Sequence, residues 1–413
     1  MPAGRRVGVI TNYSAMSSNG HTALDELRGL SAFTVGAVFA PEHGLDGNIP
    51  AGAQVPAVTR GPGGVPVYGL YSSTAGSLQP ANVNDGRVSG VAAAGASFDI
   101  KKPQLEWLEG LDALVFDLQD FGSRYNTFLS TLRLCLEAAA EAHMPFIVMD
   151  RPNPIRGDRF EGLLLRREFE SYVGFMPGVP ARHGLTTGEI ALLIRGTMGL
   201  DIDLSVIQMD GWSRSMWFDQ TGLPWVPPTP SMVSADTALV YVGTCLIEGT
   251  NLSEGRGTLL PFHWVGAPWL DAPRIAEEMN ARRLPGVLFS ATSFLPHHDK
   301  YEGCVCQAVH VHVLNRDEFR PFASAALLLE SIKRLHPDRF AWVQGIRESP
   351  SNNGPAHNSA ACPFIDLLAG TDRLRAVIDM GGDVAELLEE SESAAREYGR
   401  QVKEYLLYAA HVK

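Results

Sequence analysis

Four short runs of consecutive apolar residues mark the first part of the chain: VGVIT at 7–11, VGAVFA at 35–40, ALVFD at 113–117 and FIVMD at 146–150. None alternates apolar with polar, so each predicts a strand buried on both faces, as in a parallel sheet covered by helices. The segments between them agree. HTALDELRGL at 21–30 and TFLSTLRLCLEAAAEAH at 127–143 place apolar residues at three- and four-residue spacing, and TTGEIALLIRGTMG starts a further helix at Thr186. This order predicts an α/β fold whose first domain is a Rossmann-like parallel sheet.

A chain of 413 residues exceeds what one hydrophobic core normally supports. The proline-dense GLPWVPPTPSM at 222–232 reads as a rigid link, which puts the first domain at 1–212 and a smaller α+β carboxy-terminal domain at 225–413. Within the second part, 237–258 reads as helical or extended, VCQAVHVHVL at 305–314 as a strand, and 384–408 as an amphipathic helix. The Gly-, Ala-, Ser-, Asn- and Pro-rich stretch 61–97 reads as a long excursion over the sheet edge.

The formal net charge of −12, with no run of lysine or arginine, argues against a nucleic-acid surface. No apolar run has the length of a membrane span. The opening MPAGRRVGVITNYS passes into a strand without a hydrophobic signal region, so the expectation is a cytoplasmic chain, or a periplasmic or secreted one if the true start lies upstream. Five cysteines are too few and too scattered for a disulfide framework, and Cys304 and Cys306 read as small buried residues alternating along a strand.

Ligands of an open parallel sheet collect beyond the carboxyl ends of its strands. That rim should carry Asn12 after the first strand, Glu42 and His43 after the second, Asp117 with Asp120 after the third, and Asp150 with Arg151 after the fourth. In FAPEHG at 39–44, Pro41 ends the ladder and Gly44 permits a turn, so Glu42 and His43 are displayed on a sharply shaped tip. The sequence after the first strand, TNYSAMSSNG, lacks the G-x-G-x-x-G of a dinucleotide site; a phosphate loop and a G-x-S-x-G elbow are also missing. No cofactor is therefore expected. No H-E-x-x-H spacing points to a metal, and hydrolysis assisted by carboxylates remains.

Six ordered stretches then carry a resemblance: APEHGLDG at 40–47, DLQDFGSRYNT at 117–127, DRPNP at 150–154, RHGLTTGE at 182–189, GLPWVPPTP at 222–230 and EGTNLSEGRGT at 248–258. Together they resemble the exo-β-N-acetylmuramidase NamZ family over nearly the whole chain. The resemblance implies a Rossmann-like domain without its nucleotide, a smaller carboxy-terminal domain, and a cleft between them. It implies removal of terminal N-acetylmuramic acid (MurNAc) from peptidoglycan fragments such as MurNAc-GlcNAc, and it places the catalytic carboxylate of APEHG on Glu42.

Glycoside cleavage needs an acid for the leaving oxygen and a second group on the other face; Asp117 and Asp120 are the candidates taken for that partner, with Asp150, Glu248 and Glu254 competing. The lactyl carboxylate of MurNAc suits a bidentate arginine, for which Arg124, Arg182 and Arg256 lie in the motifs. Tyr125, Trp225 and Tyr301 offer planes for sugar faces. Asn12, His43, Asp150, His183, Glu248, Asn251 and Glu254 complete the expected substrate-binding set.

Structural readings compete with these. Thr186 and Glu189 fit a capping box, which explains both without catalysis. Asp150 fits a loop organiser, Asp117 or Asp120 an ion pair with Arg124, and Glu254 with Arg256 a salt bridge. Two rival functions also follow: a metal-dependent amidohydrolase using His43, His183 and the aspartates, and a muropeptide-binding protein without turnover.

Overall fold

The computed structural model describes residues 4–50, 53–71, 102–347 and 360–409, with the strands Asn82–Asn84 and Arg87–Ser89 in between. Most of the expected excursion at 61–97 lies outside the described residues; its first part forms strands at the sheet edge. The central sheet runs β3-β4-β2-β1-β7-β8-β9. Its members are β1 (Arg5–Thr11), β2 (Phe33–Ala40), β3 (Val58–Arg60), β4 (Pro66–Gly69), β7 (Ala113–Asp117), β8 (Phe146–Met149) and β9 (Leu204–Ile207), with β5 (Asn82–Asn84) and β6 (Arg87–Ser89) forming a separate hairpin. Every neighbouring pair is parallel except β3 with β4.

The four expected strands are its buried centre: Val9 faces Val38 on one side and Val115 on the other. Gly8 sits where an added Cβ would come within 2.9 Å of Leu114, Leu111 and Phe39, so only glycine lets the strands approach there. Strand β9, LSVI, escaped sequence reading because it is short and alternates half-buried with exposed residues at the sheet's edge. The chain leaves β1 toward β2 and β4, then returns to β7, β8 and β9 on the opposite side. The topological switch therefore falls at the tip of β1, between Glu42 and Asp117.

Helices α1 (Ala23–Gly29), α2 (Leu105–Leu108), α3 (Thr127–Glu141) and α4 (Thr187–Met198) accompany the sheet. Asn126 caps α3 by accepting from the Phe128 N–H, and Thr186 with Glu189 forms the expected capping box of α4. The second unit holds α5 (Ala235–Thr244), β10 (Trp264–Ala267), α6 (Ala272–Ala281), β11 (Val287–Phe294), β12 (Cys306–Val313) and α7 (Pro321–Leu335). It ends with β13 (Gln344–Arg347), β14 (Ala360–Pro363), α8 (Phe364–Ala369), α9 (Arg373–Asp379) and α10 (Val384–Gln401). Strands β10, β12 and β11 make an antiparallel sheet in that order. Cys306 is buried in β12, but Cys304 lies before the strand and is exposed, contrary to the alternating pattern expected.

Two cores form, and the chain interlaces them. Phe121, Tyr125, Leu163 and Ala181 from the first part pack into the second core with Leu239, Phe262 and Leu387. Helix α10 reaches the other way: Tyr398 and the following Val402 join Phe146 and Ile190 in the core of the parallel sheet. The helix stops at Gln401 rather than near 408, because its tail is drawn off to buried acceptors. There the Leu407 N–H donates to Glu189 at 2.9 Å and the Tyr408 hydroxyl donates to Asp150 at 2.6 Å. Among the described residues no helix is long and apolar enough to cross a membrane.

Candidate active site

Glu42 stands on the tip beyond β2. Its carboxylate accepts a hydrogen bond from the Thr127 hydroxyl at 2.7 Å and lies 3.9 Å from His43 Nε2. Thr127 is the first residue of α3, so the carboxylate meets the positive end of that helix. About 13% of the Glu42 side chain remains exposed, enough for contact with a ligand. His43 is buried with a φ of 71°, a left-handed conformation that costs a non-glycine residue about 1–3 kcal/mol. Its Nδ1 meets the Ile49 carbonyl at 2.7 Å; a carbonyl only accepts, so Nδ1 carries the hydrogen and Nε2 faces Glu42.

Tyr71 stands behind Thr127. Its hydroxyl donates to the Thr127 carbonyl at 3.1 Å, and burial, with the Glu42 charge adding to it, pushes the phenol far up from its usual range. Sequence reading gave neither a role: Tyr71 lies just past a strand, and Thr127 closes the DLQDFGSRYNT stretch at a helix start.

Asp117 lies across the β1 tip from Glu42. Its ion pair is with Arg151, not Arg124: Arg151 grips it through Nε and, at 3.2 Å, through Nη2, while Nη1 donates to the Met16 carbonyl. Asn12 organises the β1 tip, accepting from Ser14 N–H at 3.0 Å and donating to the Pro228 carbonyl at 3.3 Å. The Tyr13 hydroxyl donates to Pro227, so the proline link is laid over the switch point.

Several expected site residues are committed elsewhere. Asp120 is buried and accepts from Gly122 N–H at 2.7 Å and Asn126 Nδ2 at 2.8 Å, with His183 Nε2 at 3.2 Å; it shapes the turn into α3 and is withdrawn from the catalytic pair. His183 has no exposed surface, and its Nδ1 accepts from Leu185 N–H. Arg124 is wholly buried and donates to the carbonyls of Leu163, Val179 and Leu368, which fastens the two units together rather than binding a sugar carboxylate. Burial lowers its guanidinium to about 10. Arg182, buried and also lowered to about 10 by burial, donates to Ile155 and is balanced by Glu161. Tyr125 is buried with its hydroxyl on the Val242 carbonyl, so no face is open for stacking.

Asp150 follows the organiser reading. Its oxygens accept from Arg151 N–H, Gly188 N–H, the Thr186 hydroxyl and the Tyr408 hydroxyl, and burial raises it to about 6 against these bonds. Asn251 bridges Arg339 and Ala341, the Tyr301 hydroxyl donates to the Asn251 carbonyl, and Trp225 donates to Met232. These three hold backbone rather than line an open site. For an amidohydrolase reading, His43 and His183 join no cluster of three His, Cys, Asp or Glu placed to hold a metal ion among the described residues.

A second charged cluster comes from the carboxy-terminal unit. Arg256 donates to Glu248 at 2.9 Å, to Glu254 at 3.1 Å and to the Ser231 hydroxyl at 3.1 Å, and keeps 16% of its side chain exposed. Burial opposes its charge, but Glu248 and Glu254 outweigh that and hold it charged well above its ordinary range. Burial raises Glu248 despite Arg256. Behind them Lys300 donates to Glu254 at 3.1 Å and to the Leu252 carbonyl at 2.9 Å. The sequence displayed Lys300 only as the end of HHDK, where the histidines drew notice. Ser231 follows directly on the link that caps the β1 tip, which joins this cluster to the strand rim.

A cavity of about 610 Å³ on the carboxy-terminal sheet is lined by His263, His310, His312 and Asp236. His310 and His312 have ring centroids 3.7 Å apart, and among the described residues no group of three His, Cys, Asp or Glu is placed to hold a metal ion. Burial, then the neighbouring His312 and His263, push His310 down to about 4. A lowered folded value means the folded chain resists protonation. Stability is then present above the unfolded value of about 6.5 and is lost as pH falls toward 4. We expect denaturation midpoints at pH 7 and pH 4.5 to differ less in His310→Gln than in the parent; parallel midpoints would discount this histidine.

Family models match both parts of the chain. Exo-beta-N-acetylmuramidase NamZ, N-terminal, matches residues 7–86 and 87–236, and the corresponding C-terminal model matches 239–408. The peptidoglycan beta-N-acetylmuramidase NamZ of Bacillus subtilis is 35% identical over 405 residues, 98% of this chain and 87% of that protein. Two crystal structures of DUF1343 family proteins from Bacteroides fragilis are also similar. One has a TM-score of 0.80 at 28% identity, covering 98% of this chain and 94% of its own. The other has a TM-score of 0.68 at 26% identity, covering 99% and 95%.

Proposed function

The chain belongs to the exo-β-N-acetylmuramidase NamZ family and is an exo-acting glycosidase, and we propose that it releases terminal MurNAc from peptidoglycan fragments with Glu42 as its acid/base. The observation that carries this reading is the placement of Glu42: a carboxyl group on a fixed strand tip beside the topological switch, with part of its surface open and the Thr127 hydroxyl donating to it. Glycosidic cleavage needs a carboxylic acid within reach of the leaving oxygen, and the Thr127 hydroxyl with the strained His43 fixes where that acid points.

The lactyl carboxylate falls to Arg256, since Arg124 and Arg182 are spent on carbonyls. Glu248 and Glu254 hold its guanidinium plane in place for a ligand carboxylate on the remaining N–H groups. Asp117 with Arg151 forms the opposite bank of the switch point and supports the second face of the sugar.

Hydrolysis of 4-nitrophenyl β-MurNAc, set against the GlcNAc analogue, tests the assignment. Cleavage of the first and not the second is expected; folded protein that cleaves neither refutes it.

A further inference from the structure

A separate cavity of about 520 Å³ opens beyond the ends of β7, β8 and β9. Asp117 and Arg151 stand at its near side, the Met16 to Ser18 turn after β1 forms one wall, and the segments around 209–212 and 216–223 form the others. Only its near side, Asp117 with Arg151, enters the assignments above.

Its lining has a definite chemical character. Met149, Met209, Trp212, Met216 and Leu223 give an apolar wall, while Ser17, Ser18, Gln220 and Thr221 supply hydroxyl and amide groups. The charges within it are already balanced or bonded. Asp117 is paired with Arg151, and Asp150 accepts from Thr186, Gly188 and Tyr408. Among the lining residues Arg151 is the one cation, and its nitrogens are on Asp117 and Met16. Such a space disfavours an anion, and its other carboxylate, Asp210, disfavours one further. It suits a neutral amphipathic ring with apolar C–H faces and polar edges.

Position supplies the second argument. Along the rim the strand tips follow in the order β2, β1, β7, β8. Adjacent strands lie about 4.8 Å apart, so the cavity's near side is roughly 10 Å from the tip that carries Glu42. A glycan cut at Glu42 spans that distance with its leaving side, which brings this cavity within its reach.

We infer that this cavity is the leaving-side subsite and that it binds the neutral N-acetylglucosamine portion of the released glycan. The inference rests on the glycosidase reading above. It separates recognition into an anionic pole at Arg256 and a neutral pole between β7 and β9, so a substrate with GlcNAc on its leaving side is bound at both.

Ser18 is exposed and makes no part of the catalytic machinery, so Ser18→Trp should fill the cavity mouth without disturbing Glu42. With MurNAc-GlcNAc and its chain-extended tetrasaccharide, kcat/KM should fall by at least about tenfold, mainly through KM, the scale of a lost sugar-facing contact. With 4-nitrophenyl β-MurNAc, whose leaving group is no sugar, it should not change. Leu223→Glu provides a second variant if the first folds poorly. Binding is read independently from the change in tryptophan fluorescence on adding N,N′-diacetylchitobiose, expected in the parent and lost in both variants.

If the parent binds chitobiose but cleaves no MurNAc glycoside, the glycosidase reading fails and the leaving-side role falls with it, while binding of GlcNAc in the cavity is upheld. If it cleaves the nitrophenyl glycoside while chitobiose does not bind, or the variants lose the two substrate types equally, the subsite is overturned. Displacement of chitobiose by an acidic stem tetrapeptide, with longer glycans giving none, would assign the cavity to a peptide and overturn it as well.

Discussion

Glu42→Gln should reduce kcat on MurNAc-GlcNAc by about 10²–10⁴-fold, the usual contribution of a positioned general acid or base. The amide keeps the shape of the carboxyl group and can still accept from the Thr127 hydroxyl, so the tip and the adjoining His43 turn stay in place. The thermal midpoint of the variant should therefore match the parent, and KM should move little. An equal loss in Thr127→Val with Glu42 intact would show orientation to dominate; full activity in Glu42→Gln would remove Glu42 from the chemistry.

Arg124→Met should lower folding stability by at least about 2 kcal/mol, since the buried Leu163 and Leu368 carbonyls lose their donor at about 1–3 kcal/mol per orphaned acceptor, while Val179 keeps the Leu165 N–H. The three belong to distant segments, Leu163, Val179 and Leu368, so the damage falls where the two units meet. Urea midpoints measure the loss, and KM determined on the folded fraction measures the competing role. A variant with parental stability and a raised KM would return Arg124 to substrate binding. The contrast with Arg256 is direct: that side chain keeps surface, and its removal should weaken MurNAc recognition more than the fold.

The centre of the fold could be read from the chain because β1, β2, β7 and β8 are buried on both faces, and such burial leaves uninterrupted apolar runs. Edge strands leave a weaker trace. In β9 only alternate residues are half-buried, and β3 has none buried. The rim was legible for the same reason: a strand end can be located, and whatever follows it reaches the crevice.

Roles were harder to read than positions. Arg124 and Arg182 lie in motifs as prominent as that of Glu42, yet their partners are backbone carbonyls as far as 244 residues away, which no local pattern announces. Asp120 holds its own turn through Gly122 and Asn126 and meets the distant His183. Asp117 or Asp120 was expected to pair with the nearby Arg124; Asp117 instead takes Arg151, delivered by the adjacent strand. The capping box at Thr186 and Glu189 was readable because both partners lie within one helical turn.

The last described residues return to the sheet with which the chain begins. Having crossed the second core at Leu387, the polypeptide re-enters the first at Tyr398, and Tyr408 reaches Asp150. Each lobe is thus sewn to its neighbour at both the proline bridge and the terminal thread, so wide clamshell opening would tear packed side chains apart.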